Sequence, residues 1–374
     1  MHYLSKAPSA ELRGKIALLR TDFNIIGSKD SVRLAAALPT FRFLQKSGAR
    51  IVVISHRGRP MRKVASASSP IRALRSETLG VAVPFLEKEL KTSITFARHF
   101  DFKKIRADIE DAPPGSIALV ENIRLLAGEE KNSAPLGKEL ASLGDFYVND
   151  TFAVSHRSNA SITQVPRYLP SYAGLLLERE MKMLGELSKK PKQPLVVVLG
   201  GAKASDKIGV LEHFLPRASA ILLGGVPANT FLKARGFDIG RSAFERSMLA
   251  HARRLLKHKH IVLPIDFISD KGKLLDIGPE TVRLFKERLA YAKTILWNGP
   301  MGLFENPRFS KGSSALARAV AESRAETIVG GGETTTLILW LKLDKKISFL
   351  STGGGAMLEF LAGKKLPGIE ALNL

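Results

Sequence analysis

Short, unbroken apolar runs, each closed by a turn rich in glycine, recur through the second half of the chain. Residues 195–199 (LVVVL) run into Gly200-Gly201, 220–223 into Gly224-Gly225, and 294–297 into Asn298-Gly299-Pro300. Residues 327–329 run into Gly330-Gly331-Gly332, and 347–350 into Ser351-Thr352-Gly353-Gly354-Gly355. Runs of this length without polar alternation predict strands buried on both faces. A helical pattern follows each one, so the expected architecture is a parallel sheet with crossover helices. Ligands of such sheets bind outside the carboxyl ends of the strands, and all five turns should converge on one edge.

The first of these turns carries cations. After Gly200-Gly201 come Lys203 and Lys207, with Ser205 and Asp206 between them as candidate caps for a helix over 207–215. Glycine lets backbone approach a ligand, and a helix N-terminus beside two lysines favours phosphate. The spacing is not that of a Walker A loop, because the first lysine follows the glycine pair by only two positions. A connection with solvated lysines is the alternative for this loop taken by itself.

The first half has the same cadence with different strand ends. Predicted strands at 15–20, 50–54, 117–120 and 146–148 lead into segments bearing Asp22 and Asn24, His56 and Arg59, Arg124, and His156-Arg157. A helix is expected over 34–45, closed by Gly48. Arginine and histidine replace glycine here, which suggests an anion cradle in the first half and a nucleotide cradle in the second. Between them residues 174–187 have helical periodicity, and the lysine- and proline-rich stretch 189–194 breaks it. The serine-, alanine- and arginine-rich stretch 61–76 reads as a mobile loop.

Composition narrows the class. A chain of 374 residues is long for one core and predicts two domains. There is no cysteine, hence no disulfide or thiolate metal site. The N-terminus lacks an apolar signal core, and no run of about 18 apolar residues occurs. The expectation is a cytoplasmic protein without membrane contact. The net charge of +22 points to polyanions or to strongly anionic small ligands. The basic residues are dispersed and aromatics make up only 7%, so nucleic acid binding should be at most weak and salt-sensitive.

Taken together, Arg20-x-Asp22-Phe23-Asn24, Ser55-His56-x-Gly58-Arg59-Pro60, Glu121-Asn122-x-Arg124 and Asn149-Asp150 with His156-Arg157 resemble phosphoglycerate kinase motifs in order and spacing. So do Gly200-Gly201-Ala202-Lys203-x-Ser205-Asp206-Lys207, Trp297-Asn298-Gly299-Pro300-Met301-Gly302-x-Phe304-Glu305, Gly330-Gly331-Gly332 and Ser351-Thr352-Gly353-Gly354-Gly355. The resemblance implies an α/β protein with two doubly wound, Rossmann-like parallel-sheet domains joined by a helix. It implies a 3-phosphoglycerate domain over 1–172, a connecting helix over 173–190, a nucleotide domain over 191–362, and a tail over 363–374 that returns to the first domain.

The same resemblance assigns Asp22, Asn24, Arg33, His56, Arg59, Arg124 and Arg157 to 3-phosphoglycerate, with Arg33 also reaching the transferring phosphoryl group. Gly201, Lys203, Lys207, Gly224, Gly225, Asn298, Pro300, Gly302, Glu305, Gly332, Glu333 and Thr334 would serve the nucleotide. Within that set Lys203 follows the phosphoryl group, Lys207 holds nucleotide phosphates, and Gly224, Gly225, Asn298, Pro300, Gly302 and Glu305 line the adenosine. Arg33, Lys203, Gly331 and Gly354 are the implied catalytic set. The implied cofactor is Mg2+ carried by ATP or ADP, with Glu333 as its protein ligand.

Some positions depart from the family pattern. Glu333 stands where the family usually has Asp, Asn159 where His is common, Arg57 where Leu is usual and Pro227 where Met is common; the loops before Arg33 and before Asp276 are short. The reading is a monomeric enzyme interconverting 1,3-bisphosphoglycerate plus ADP with 3-phosphoglycerate plus ATP. A homologue of weakened catalysis with a basic, nucleic-acid-binding surface is the alternative.

Overall fold

The computed structural model describes residues 1–24, 31–60 and 77–373. The stretch 61–76, expected to be a mobile loop, lies outside the described residues, as do residues 25–30 of the short loop before Arg33. The chain divides into two compact units. One comprises Met1–Met181 together with Lys365–Leu374, and the other Lys182–Lys364.

The first unit is built on a seven-stranded sheet. Its strands are β1 (His2–Tyr3), β2 (Ile16–Arg20), β3 (Arg50–Ile54), β4 (Ile94–Ala97), β5 (Ile117–Val120), β6 (Phe146–Asn149) and β7 (Ser171–Ala173). They lie in the order β1-β7-β6-β2-β3-β5-β4, and all pairs are parallel. The central strands are apolar because helices cover both faces, and β2 is buried at every position. Helix α1 (Ser31–Lys46) packs Leu34, Ala37, Leu38, Phe41 and Leu44 into the core shared with β2 and β3. That four-residue recurrence is the stripe a helix presents to a sheet.

The second unit has a six-stranded parallel sheet. Strands β8 (Leu195–Leu199), β9 (Ala220–Leu223), β10 (Ile261–Val262), β13 (Thr294–Asn298), β14 (Glu326–Gly330) and β15 (Phe349–Leu350) lie in the order β10-β9-β8-β13-β14-β15. An antiparallel hairpin, β11 (Phe267–Asp270) and β12 (Lys273–Ile277), lies outside this sheet. The order runs outward in both directions from β8 and β13, so the chain reverses its winding there. In doubly wound sheets a crevice for ligands opens at that point.

Helix α2 (Leu175–Lys189) carries the chain from one unit into the other, with the division falling inside it after Met181. Its N-terminus is fixed by buried groups of the first unit. Asp150 Oδ1 accepts from the Leu176 N–H at 2.9 Å, and Thr40 Oγ1 accepts from the Leu175 N–H at 3.0 Å. The last residues return to the first unit, where the Gly368 N–H donates to the Ser155 carbonyl at 2.8 Å. A Cβ on Gly368 would come within 2.6 Å of Ile162, so only glycine lets the tail lie this close.

Candidate functional site

Two groups of candidate residues stand at the carboxyl edges of the two sheets, one in each unit. In the first unit the loops after β2, β3 and β5 are stitched together by polar side chains. Ser55 Oγ donates to the Thr21 carbonyl at 2.8 Å and accepts from the Phe23 N–H at 2.9 Å. Asn122 Oδ1 accepts from the Arg57 and Arg124 N–H groups, and its amide donates to the carbonyls of Arg57 and Glu77. Asn24 Oδ1 accepts from the Gly58 N–H at 2.8 Å. These bonds hold the loops so that their charged side chains are set before any ligand arrives.

The cations are crowded. Arg33, in the first turn of α1, meets Asp22 at 2.7 Å, the carboxylate being buried and the guanidinium about one third exposed. Arg124 is buried, donates to the Gly58 carbonyl at 2.6 Å, and has its Nε 3.8 Å from Glu130. Burial, with Arg20 and Arg157 adding repulsion, pushes its pKa down to about 10. His56 is buried, with Nε2 3.7 Å from Asp22. Burial first, then Arg20, Arg124, Arg33 and Arg157, holds its pKa well below the ordinary value of 6.5, so the ring is neutral at pH 7. Arg157 lies beside His156, and Arg59 is exposed at the rim. Arg20, Arg33, Arg124 and Arg157 outnumber the carboxylates beside them, Asp22, Glu129 and Glu130, and cations in excess have an unmet demand for anionic oxygen, which a polyanionic ligand meets.

In the second unit the ligand-facing surface is mostly backbone. A cavity of about 330 Å3 is lined by Gly201, Lys203, Lys207, Asn298, Gly331, Gly332, Glu333, Thr334, Gly354 and their neighbours. It continues through Gly201, Ala202 and Glu333 into a cavity of about 420 Å3 lined by Gly225, Pro300, Gly302, Glu305, Met301, Phe267 and Leu275. The first is polar and framed by glycine; the second has an apolar lining of the kind that accepts a flat ring. Helix α3 (Ser205–Phe214) begins at the loop after β8, and α4 (Gly332–Trp340) at the loop after β14. Gly331, with φ of +97°, turns the chain into α4, and a Cβ there would press at 3.0 Å on Asn298 Nδ2.

Lys207 is buried, and Nζ donates to Asn298 Oδ1 at 2.5 Å. Burial lowers its pKa, while Asp206 and Glu333 act the other way. Among the described residues Asn298 Nδ2 has no hydrogen-bond partner. This puts Asn298 in the polar cavity with the lysines, whereas the resemblance had it lining adenosine. Gly224 packs against Met301, where a Cβ would meet Sδ at 2.5 Å. The Thr334 hydroxyl accepts from the Gly299 N–H at 2.7 Å and so fixes the turn after β13. The cap expected from Ser205 or Asp206 is supplied from elsewhere. Glu245 accepts from the Ser205 N–H at 2.6 Å and from its hydroxyl at 2.8 Å, so a carboxylate already covers the start of α3.

A metal would find few protein ligands here. Asp206 and Glu333 are the carboxylates lining the polar cavity, and among the described residues no group of three His, Asp or Glu side chains is placed to hold an ion. An exposed hard oxygen beside a phosphate-sized cavity suits Mg2+ that arrives with phosphate and water ligands of its own, and suits a thiophilic or imidazole-bound metal poorly.

A model of one protein family, described as phosphoglycerate kinase, matches residues 8–364. The chain belongs to the phosphoglycerate kinase family. It is therefore an enzyme of the kinase class. Relatives named phosphoglycerate kinase include those of Coprothermobacter proteolyticus, 39% identical with 97% of each chain covered, and Thermosipho africanus, 40% identical with 97% and 96% covered. Among solved structures, phosphoglycerate kinase from Coxiella burnetii matches with a TM-score of 0.82 and 34% identity, over 99% of this chain and 98% of that one. The enzyme from Pyrococcus horikoshii OT3 matches with a TM-score of 0.84 and 31% identity, over 100% and 98%. The two doubly wound units are thus the family's architecture. Among the described residues no helix is long and apolar enough to cross a membrane.

Several residues near the two sites have no role in the motif reading. Arg20 ends β2 as the last residue of an apolar run, which is a weak signal of a buried cation. Arg241 and Lys273 line the 420 Å3 cavity from β12 and the loop beside it. Lys273 comes from a hairpin that the apolar pattern does not announce, and Arg241 from a separate loop whose N–H donates to the Gly272 carbonyl at 2.7 Å.

Proposed function

We propose that the chain catalyses reversible phosphoryl transfer between 1,3-bisphosphoglycerate plus ADP and 3-phosphoglycerate plus ATP. The observation that carries this is a pair of chemically distinct sites: a side-chain cradle of Arg33, Arg124 and Arg157 with His56, and a glycine-framed cavity with Lys203 and Lys207 opening into an apolar chamber. The cradle suits a small acid with carboxylate and phosphate groups, because the arginine fork grips such oxygens in pairs while Asp22 accepts from a hydroxyl. The apolar chamber takes the base, Glu305 accepts from the ribose hydroxyls, and the polar cavity takes the phosphates.

An acyl phosphate is a good donor and a carboxylate acceptor has no proton to lose, so neither a covalent nucleophile nor a strong base is needed. Arg33 and Lys203 neutralise charge as it moves between donor and acceptor oxygens. Lys207, anchored on Asn298, holds the nucleotide phosphates, and the N–H groups at the start of α4 face the same oxygens. Glu333 would hold the Mg2+, which neutralises phosphate charge when bound with the nucleotide.

In this reading each unit binds one ligand, so transfer requires a hinge motion to which both ligands contribute. Small-angle scattering should show compaction chiefly with both ligands present, and equal radii of gyration in all ligand states would remove the hinge from the proposal. The function itself is tested by a coupled assay with 3-phosphoglycerate, ATP and Mg2+. ATP-dependent turnover is expected; its absence at saturating ligand overturns the reading.

A further inference from the structure

Behind the cradle lies a polar network that the reaction as described does not use. Arg20 is 1% exposed although it ends a central strand, and each arm of its guanidinium is engaged. Its Nε donates to Ser161 Oγ at 2.9 Å, one terminal nitrogen donates to the Thr21 carbonyl, and the other lies 3.2 Å from His56 Nδ1 and 3.9 Å from Glu129 Oε1. Glu129 is wholly buried and grips Ser161 with both oxygens. Its Oε1 accepts from the Ser161 hydroxyl at 2.7 Å and its Oε2 from the Ser161 N–H at 2.9 Å. Tyr147 completes the clamp by donating to the Ser161 carbonyl at 2.8 Å.

Direction along this chain is dictated by chemistry. Ser161 has one hydroxyl proton and gives it to Glu129, so toward Arg20 it can only accept. A guanidinium has donors and no acceptor, so the nitrogen it meets on His56 must accept. Nδ1 therefore carries no proton, and the proton of the neutral ring stays on Nε2, the nitrogen facing Asp22 across 3.7 Å. We propose that Arg20, seated by Ser161 and Glu129, is a positioning residue that locks His56 in the Nε2–H tautomer, so that His56 meets the substrate as a neutral, oriented N–H donor and not as a cation. That His56 faces 3-phosphoglycerate rests on the function proposed above; the tautomer does not.

The charged groups around the ring agree with this assignment. Arg20, Arg33, Arg124 and Arg157 surround it, with Asp22 at 3.7 Å and Glu129 beyond Arg20. A second ring proton would add a fifth positive charge in a buried place. Attraction for the anionic substrate then comes from the arginines, while His56 supplies direction.

The experiment is nitrogen-detected NMR of 15N-histidine-labelled protein, with the His56 signals assigned by their loss in His56→Gln. The free wild-type protein should show a single neutral Nε2–H form from about pH 8 to about pH 5.5, below the ordinary histidine pKa. Arg20→Lys keeps the charge but cannot hold Ser161, Thr21 and His56 at once. It should give mixed tautomers and raise the KM for 3-phosphoglycerate about tenfold, the scale of one hydrogen bond to a charged group, with the KM for ATP unchanged. An Nδ1–H or doubly protonated ring at pH 7 in the wild type overturns the proposal, as does an unchanged tautomer in folded Arg20→Lys. If Arg20→Lys does not fold, the wild-type spectrum decides alone. If the chain does not turn over 3-phosphoglycerate, the spectrum still tests the lock, so the two readings fail separately.

Discussion

The two candidate sites sit on sheets of the same type and recognise anions by opposite means. In the first unit the ligand-facing groups are long side chains, and the loops that carry them are fastened by Ser55, Asn122 and Asn24. In the second unit the ligand-facing groups are largely backbone, and glycine is what lets the loops close in, as at Gly225, where a Cβ would stand 2.6 Å from the Gly201 carbonyl oxygen. A side-chain cradle concentrates charge and must bear both burial and repulsion: burial first, then Arg20 and Arg157, lowers the pKa of Arg124. A backbone cradle carries little net charge and is limited by steric access. The first should be sensitive to loss of charge, the second to gain of volume.

That contrast can be broken most directly at the two cations assigned to the migrating phosphoryl group. Arg33→Ala and Lys203→Ala should each lower kcat at least about a hundredfold, the scale for one preorganised electrostatic contact, with smaller effects on binding. A rise in KM at unchanged kcat would make both residues ground-state binders. Next in size, Gly331→Ala should weaken nucleotide binding about tenfold or more, because the new methyl meets Asn298 and the backbone is left-handed there. The affinity for 3-phosphoglycerate, measured by calorimetry on the same variant, should not change. Equal weakening of both ligands would show that the two cradles are not independent.

A smaller effect is expected at the carboxylate. Glu333→Gln keeps the shape and removes the charge, so the Mg2+ concentration for half-maximal rate should rise several-fold without a matching loss of thermal stability. If the Mg2+ dependence is unchanged, Glu333 serves only the N-terminus of its helix. The smallest effect concerns stability. Burial pushes the Asp150 pKa up to about 7, against hydrogen bonds from Thr40, Leu176 and Leu177, and among the described residues Oδ2 has no hydrogen-bond partner. The folded chain therefore holds this proton more tightly than the unfolded one, and the associated stability is present below about pH 4 and lost as pH rises through about 7. Asp150→Asn should accordingly gain Tm relative to wild type at pH 8 compared with pH 5. A Tm difference independent of pH would mean that Asp150 is not protonated in the folded protein near neutrality.

Much of this architecture was legible because of how parallel sheets are buried. Residues 195–199 form β8 as an unbroken apolar run, since both faces of a central strand are covered. The glycine turns were legible because each interrupts such a run at its carboxyl end. What escaped was short or long-range. Strands β1 and β10 have two residues each and lie at sheet edges, with no apolar pattern long enough to register. The hairpin over 267–277 is only half buried along most of its length and reads as a shortened loop. Glu129 stands in a charged stretch that looks solvated, yet it is wholly buried because Ser161 and Arg20 come to it from other parts of the chain. The carboxylate at the start of α3 is hidden for the same reason: Glu245 follows Ser205 by 40 positions.

The returning tail has a consequence for how the chain is made. Asn149 and Gly368 meet in the first unit although 219 positions separate them, and the whole second unit lies in between. During synthesis the first unit emerges early but lacks its closing piece until the second has been translated. The entropic cost of closing so long a loop grows only with the logarithm of its length, and falls further once the intervening unit has folded and shortened the free chain. Nascent chains stalled just short of residue 365 should thus carry a first unit that is more open to protease than the finished one. The final few residues would act as the latch that completes the part of the molecule translated first.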